Sequence, residues 1–235
     1  MARQLTQKHI RIQGMDGIHL APGDLEAGER LPLMVLFHGY GADMHDLAGL
    51  AAYFEIRSQI ICFQGTKTTP FGGRAWFDLE YLPSGELQFD EMQALQAGQD
   101  TAAVVNALLA REDLSVSRLI VGGFSQGAAI AMLVSLLSPE ATQGVLLMSG
   151  RRPEKMSLLI QDAAALSHFQ VFVGHGLHDP VLPIMNGRDL RDFWQDLPVK
   201  LVYHEYPMGH EINQQELADI NEWLQNFTHT GNANQ

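Results

Sequence analysis

Short apolar runs alternate along this chain with segments whose apolar positions recur every three or four residues. Leu31 to Phe37, Ser58 to Phe63, Leu119 to Val121, Gly144 to Met148 and Phe169 to Val173 are apolar throughout or nearly so. Runs of that kind predict strands covered on both faces, because a half-exposed strand would alternate apolar with polar. Between them, residues 44–56, 90–109, 184–196 and 211–227 predict helices, and 155–166 is weakly helical. In the 90–109 segment Leu95, Ala102, Val105 and Leu109 fall at helical spacing. A further strand is expected over 200–206. Strands alternating with helices imply an α/β fold with a mostly parallel central sheet and helices on both faces, whose ligands bind beyond the carboxyl ends of the strands.

The two ends of the chain and one internal stretch break this rhythm. Residues 7–13 and 18–20 predict a hairpin closed by Gly14-Met15-Asp16-Gly17. The polar tail, residues 229–235, is expected to fray. Residues 65–88 carry four glycines, two prolines and several large apolar side chains without a sustained period. A loop that long in a compact domain is commonly functional, and Trp76, Phe77, Tyr81 and Leu82 either line a substrate groove or plug the edge of the domain.

Composition narrows the function classes. With 235 residues, 46% of them hydrophobic, one domain spanning 1–235 is expected. A formal charge of -12 without a basic run argues against nucleic acid as a partner. The single cysteine, Cys62, lies in an apolar strand and allows no internal disulfide. The start of the chain lacks the apolar core of a secretion signal, so the expected location is cytoplasmic. The most apolar stretch, Ala128 to Leu137, is too short for stable membrane insertion.

The chemistry concentrates where strands end. Leu119-Ile120-Val121 leads through Gly123-Phe124-Ser125-Gln126-Gly127 into an apolar helix. In a strand–turn–helix context, G-x-S-x-G holds the serine in a strained conformation with its hydroxyl projecting beside a helix N-terminus. Read alone it is equally a glycine-rich turn between core elements. Asp179 and His210 each follow a further predicted strand, so the order is Ser, Asp, His. A serine needs a base to remove its proton, and an imidazole base needs a carboxylate to fix its tautomer, which assigns Ser125 as nucleophile, His210 as base and Asp179 as its orienter. His175, His178 and Asp179 also suggest a metal site, but no further His or Cys cluster completes one, so neither metal nor cofactor is expected.

LFHGYGAD at 36–43, AWFD at 75–78, GFSQG at 123–127, GLHDPVLP at 176–183 and the Gly209-His210 pair together resemble the carboxylesterase and acyl-protein thioesterase family of α/β-hydrolases, over roughly residues 30–225. The resemblance implies an oxyanion hole made by the Tyr40 and Gln126 N–H groups, and places the stretch holding Trp76, Phe77 and Leu82 beside the acyl group. It implies hydrolysis of carboxylic esters, and of acyl thioesters or lysophospholipids, through an acyl-enzyme on Ser125, with a homodimer as one arrangement. Two departures bear on substrate choice: Ala128 stands where the family usually has a third glycine, and HGYGAD replaces the commoner HGLGD. The alternative is a catalytically silent scaffold on the same fold that binds a small ligand or a protein partner.

Overall fold

The computed structural model describes residues 5–83 and 87–228, with only the backbone described at Tyr81; the tail expected to fray, 229–235, lies outside the described residues. Its centre is an eight-stranded sheet. Taken in chain order, the strands are β1 (Leu5–Ile12), β2 (Met15–Pro22), β3 (Leu31–Phe37), β4 (Gln59–Phe63), the two-residue ribbon strands β5 (Lys67–Thr68), β6 (Arg74–Ala75), β7 (Glu80–Tyr81) and β8 (Leu87–Gln88), then β9 (Val116–Phe124), β10 (Thr142–Met148), β11 (Gln170–Gly176) and β12 (Lys200–Tyr206). The helices are α1 (Met44–Ala51), α2 (Glu91–Leu109), α3 (Gln126–Leu137), α4 (Met185–Gln195) and α5 (Gln214–Gln225).

The sheet order is β1-β2-β4-β3-β9-β10-β11-β12. From β4 to β12 every neighbouring pair is parallel, while β2 runs antiparallel to both β1 and β4. The apolar strand runs have the expected cause. Leu33, Val35 and Phe37 of β3 point into one core with α2 and α3, and Met34 and Leu36 point into another with Leu47 of α1 and Ile220 and Trp223 of α5. Neither face of the strand meets water, so neither can be polar. No described helix is long and apolar enough to cross a membrane.

Several boundaries differ from expectation. The strand before Ser125 begins at Val116, three residues early. Residues 155–166 form two 3-10 turns, Glu154–Leu159 and Ala163–Leu166. The helix expected over 44–56 is capped by Asp43, whose carboxylate accepts the His45 N–H at 2.8 Å, but it stops at Ala51. The stretch after it is held from far along the chain: Asn221 of α5 accepts the Glu55 N–H at 2.9 Å and donates to the Tyr53 carbonyl at 3.0 Å. The 65–88 loop folds into two antiparallel ribbons, β5 with β6 and β7 with β8.

Candidate active site

Ser125 joins β9 to α3 with φ 54° and ψ -115°, a left-handed backbone costly for a residue with a side chain. The glycines around it are steric necessities. A Cβ on Gly123 would lie 2.2 Å from the Gly127 backbone, and one on Gly127 would lie 1.9 Å from the Phe37 carbonyl. The turn is fixed by the Ser125 N–H donating to Met148 O at 2.9 Å. Among the described residues the hydroxyl of Ser125 has no hydrogen-bond partner. It stands at the N-terminus of a helix buried from Gln126 to Leu136, where the backbone dipoles add partial positive charge.

His210 and Asp179 meet across two loops. His210 Nδ1 lies 2.6 Å from Asp179 Oδ2, and Asp179 Oδ1 accepts the amides of Val181 and Leu182, each at 2.8 Å. The loops are tied together by Leu177 N–H to Tyr206 O at 2.8 Å and His178 N–H to Met208 O at 3.0 Å. Burial alone would raise the Asp179 carboxyl, but the hydrogen bonds from His210, Leu182 and Val181, with the His210 charge, hold it below the ordinary carboxylate range. A carboxylate is thus kept ionised against Nδ1, which leaves Nε2 of His210 as the position for proton exchange. The Phe124 ring, one residue before the serine, packs on the imidazole with centroids 4.8 Å apart.

His175 and His178 do not converge. His175 is buried, its Nε2 donating to Leu182 O at 2.7 Å beneath Asp179, while His178 is exposed. Among the described residues no group of three His, Cys, Asp or Glu side chains is disposed to hold a metal. Cys62 is buried in β4, and burial pushes its thiol far up from its ordinary value.

The loop after β3 brings Gly39 against the elbow, where a Cβ would lie 3.5 Å from Ser125 Cβ. Tyr40 follows it, and neither the Tyr40 N–H nor that of Gln126 is donated to a carbonyl among the described residues. The loop is braced from below. His38 Nε2 accepts the Gly65 N–H at 3.0 Å, so its proton sits on Nδ1 and is donated to Gly39 O at 2.7 Å; burial lowers its pKa and keeps it neutral. Trp76 Nε1 donates to His38 O at 2.9 Å, and Gly41 and Arg74 exchange with Arg74 and Ala42 at 2.8 and 2.7 Å. Nothing in the local sequence around His38 signals this role.

A narrow, shallow cleft opens beside Ser125, walled by Phe77, Leu79, Leu87, Phe89, Ala129, Leu182, Gln126 and Arg151. Of the residues expected beside the acyl group, Phe77 is in that wall. Trp76 is not: it is 2% exposed and packs edge-on to Phe37 at 5.3 Å, under the Tyr40 loop. Leu82 is half-buried and also outside the wall. Arg151, one turn beyond β10, is a wall residue the sequence pattern did not single out.

The sequence profile described as Phospholipase/Carboxylesterase matches residues 26–228. The chain is 31% identical over 147 residues, 61% of its length, to the acyl-protein thioesterase 1 of Debaryomyces hansenii, and spans 63% of that protein. It is 27% identical over 157 residues, 66% of its length and 64% of the relative's, to an Oryza sativa protein named a probable inactive carboxylesterase. The chain thus spans less than two thirds of these two relatives. In three dimensions it superposes on a carboxylesterase from Mesorhizobium loti with TM-score 0.75 at 20% identity, covering 93% of this chain and 98% of that one, a likeness of fold.

Proposed function

The chain belongs to the phospholipase/carboxylesterase family of α/β-hydrolases, and we propose that it is a serine hydrolase of carboxylic esters and acyl thioesters working through an acyl-enzyme on Ser125. The observation that carries this reading is the 2.6 Å contact between His210 Nδ1 and a buried Asp179, with the imidazole packed on Phe124, the residue before a serine at φ 54°. Strain at a serine and a carboxylate aimed at an imidazole are both costly to fold, and nucleophilic catalysis explains them together.

In this mechanism His210 Nε2 takes the Ser125 proton as Oγ attacks the substrate carbonyl carbon. The oxygen becomes an oxyanion and is held by the uncommitted N–H groups of Tyr40 and Gln126, with the α3 N-terminus adding partial positive charge. Asp179 stabilises the imidazolium without itself taking the proton. Collapse breaks the C–O or C–S bond, and the leaving alcohol or thiol departs with the proton from His210. Water, deprotonated by the same imidazole, then adds to the acyl-enzyme and releases the acid and the free Ser125 hydroxyl. The braces from His38 and Trp76 support this reading, since donors fixed before the reaction need no reorganisation during it.

Labelling with a fluorophosphonate, followed by peptide mapping, tests the proposal. The label is expected on Ser125, and Ser125→Ala is expected to fold while losing ester hydrolysis by several orders of magnitude. A folded protein that takes no label is the outcome of the silent-scaffold alternative.

A further inference from the structure

Arg151 stands where the cleft beside Ser125 opens into a larger groove. It lines the cleft with Ser125 and Leu182, and the groove with Arg152, Glu154 and Asp189. The two arginines differ in how their charge is met. Arg152 forks onto Asp189 through Nε and Nη2 at 2.9 and 2.8 Å. Arg151 donates Nη1 to the Leu87 carbonyl and lies over the Phe89 ring, with Cζ 5.2 Å from its centroid. Among the described residues it has no carboxylate partner, and Glu154, the remaining acid of the groove, points to solvent. A guanidinium carries more N–H donors than one carbonyl can use, and its planar fork matches a carboxylate. In a chain of formal charge -12, a cation without an acidic partner in the cleft beside the nucleophile is set up for an anion on the substrate.

The rest of the wall defines the substrate's body. Phe77, Leu79, Leu87, Phe89, Ala129 and Leu182 line the same cleft as Ser125 and the guanidinium and are apolar, and the side-chain amide of Gln126, the other wall residue, is already bonded to the Trp76 and Phe77 backbone. We propose that Arg151 is a specificity-determining residue that selects acyl groups ending in a carboxylate, so that the substrates are half-esters or half-thioesters of short dicarboxylic acids. This rests on the hydrolase reading above and deepens it. The short apolar chain lies along the cleft, the scissile carbonyl meets Ser125, and the distal carboxylate pairs with Arg151, remaining ionised throughout. The bond broken is the ester C–O or thioester C–S; water supplies hydroxyl to the acyl carbon and a proton to the leaving group, giving a dicarboxylate and an alcohol or thiol.

The test compares monomethyl adipate with methyl hexanoate, two substrates with six-carbon acyl groups that differ in the distal carboxylate. Acid release by the purified protein is followed in a pH-stat. The expected result is a kcat/KM about tenfold or more in favour of the half-ester, falling as salt is raised. Arg151→Gln is expected to erase that preference through KM, Arg151→Lys to retain part of it, and adipate to compete with methyl hexanoate in the wild type more strongly than in Arg151→Gln. If the wild type prefers the neutral ester, or adipate does not compete, the inference falls whether or not the variants fold. If Arg151→Gln lowers both substrates equally, Arg151 only pins the Leu87 strand and the inference falls. Turnover of methyl hexanoate without half-ester preference overturns this inference alone, whereas turnover of neither ester, with no fluorophosphonate label on Ser125, overturns the hydrolase reading with it.

Discussion

The side chain of Gln126 is clamped to the residue it supports: its Oε1 accepts the Trp76 N–H at 2.9 Å, while its Nε2 donates to the next carbonyl, that of Phe77, at 2.7 Å. One residue therefore presents a backbone N–H beside the serine and locks with its side chain the segment that braces the Tyr40 loop. Gln126→Ala would leave a buried N–H and a buried C=O without partners. It is expected to cost about 2–3 kcal/mol in urea unfolding and to lower kcat more than it raises KM. An unchanged kcat in a stably folded variant would detach the clamp from catalysis.

Trp76 follows from the same clamp. Its ring is buried against Phe37 and its indole N–H is spent on His38 O, so Trp76→Ala removes packing and a hydrogen bond together. A loss of about 3–5 kcal/mol is expected, with acetate and longer p-nitrophenyl esters slowed by similar factors. Phe77→Ala, in the cleft wall, is expected instead to flatten the dependence of kcat/KM on acyl length, since each methylene buried there contributes about 0.8 kcal/mol at most. Chain-length series on both variants separate the two roles.

Asp179→Asn keeps an oxygen for the Val181 and Leu182 amides, so the loop is expected to fold. It removes the charge that fixes the His210 tautomer, and kcat is expected to fall on the order of 10⁴-fold. The sign of its pH effect follows from a carboxyl held below its unfolded value: its stabilisation is present above the unfolded pKa and is lost as pH falls through the lower folded one. Acid unfolding curves of wild type and Asp179→Asn should therefore converge at low pH. Full activity in the asparagine variant would remove Asp179 from the mechanism.

The candidate site was legible in the sequence where local rules dictate it. Apolar runs ending in glycine-rich turns mark the carboxyl ends of parallel strands, so Ser125, Asp179 and His210 could be placed before any contact was known. What stayed hidden depends on contacts between distant segments. Trp76 lies fifty residues from its partner Gln126, and whether an aromatic residue in a long loop faces the core or the cleft is decided by what packs on it. The early end of α1 is set by Asn221, 166 residues away from Glu55. Arg151 gave no signal because its neighbours in the groove, Leu87 and Leu182, come from separate loops. The side chain of Gln126 holds two further bonds that the G-x-S-x-G pattern does not encode.

Glu216 carries the last prediction. It sits in the first turn of α5, buried, with neither carboxyl oxygen hydrogen-bonded among the described residues. It is pressed so close to β11 that a Cβ on Gly174 would lie 2.1 Å from its Oε1. Burial, with the neighbouring Asp219 charge adding to it, pushes its pKa up to about 8 from the ordinary 4.5. Between those values the folded chain holds a proton that the unfolded chain has released, so the free energy of unfolding falls as pH rises through the window. The stabilisation is whole below about 4.5 and gone above about 8, a swing of at most a few kcal/mol. Glu216→Gln cannot ionise, so its melting temperature should decline less between pH 5 and pH 9, and at pH 9 the variant should be the more stable protein. Parallel declines for the two proteins would mean that Glu216 is ionised in the fold, and that a counter-charge or water reaches it.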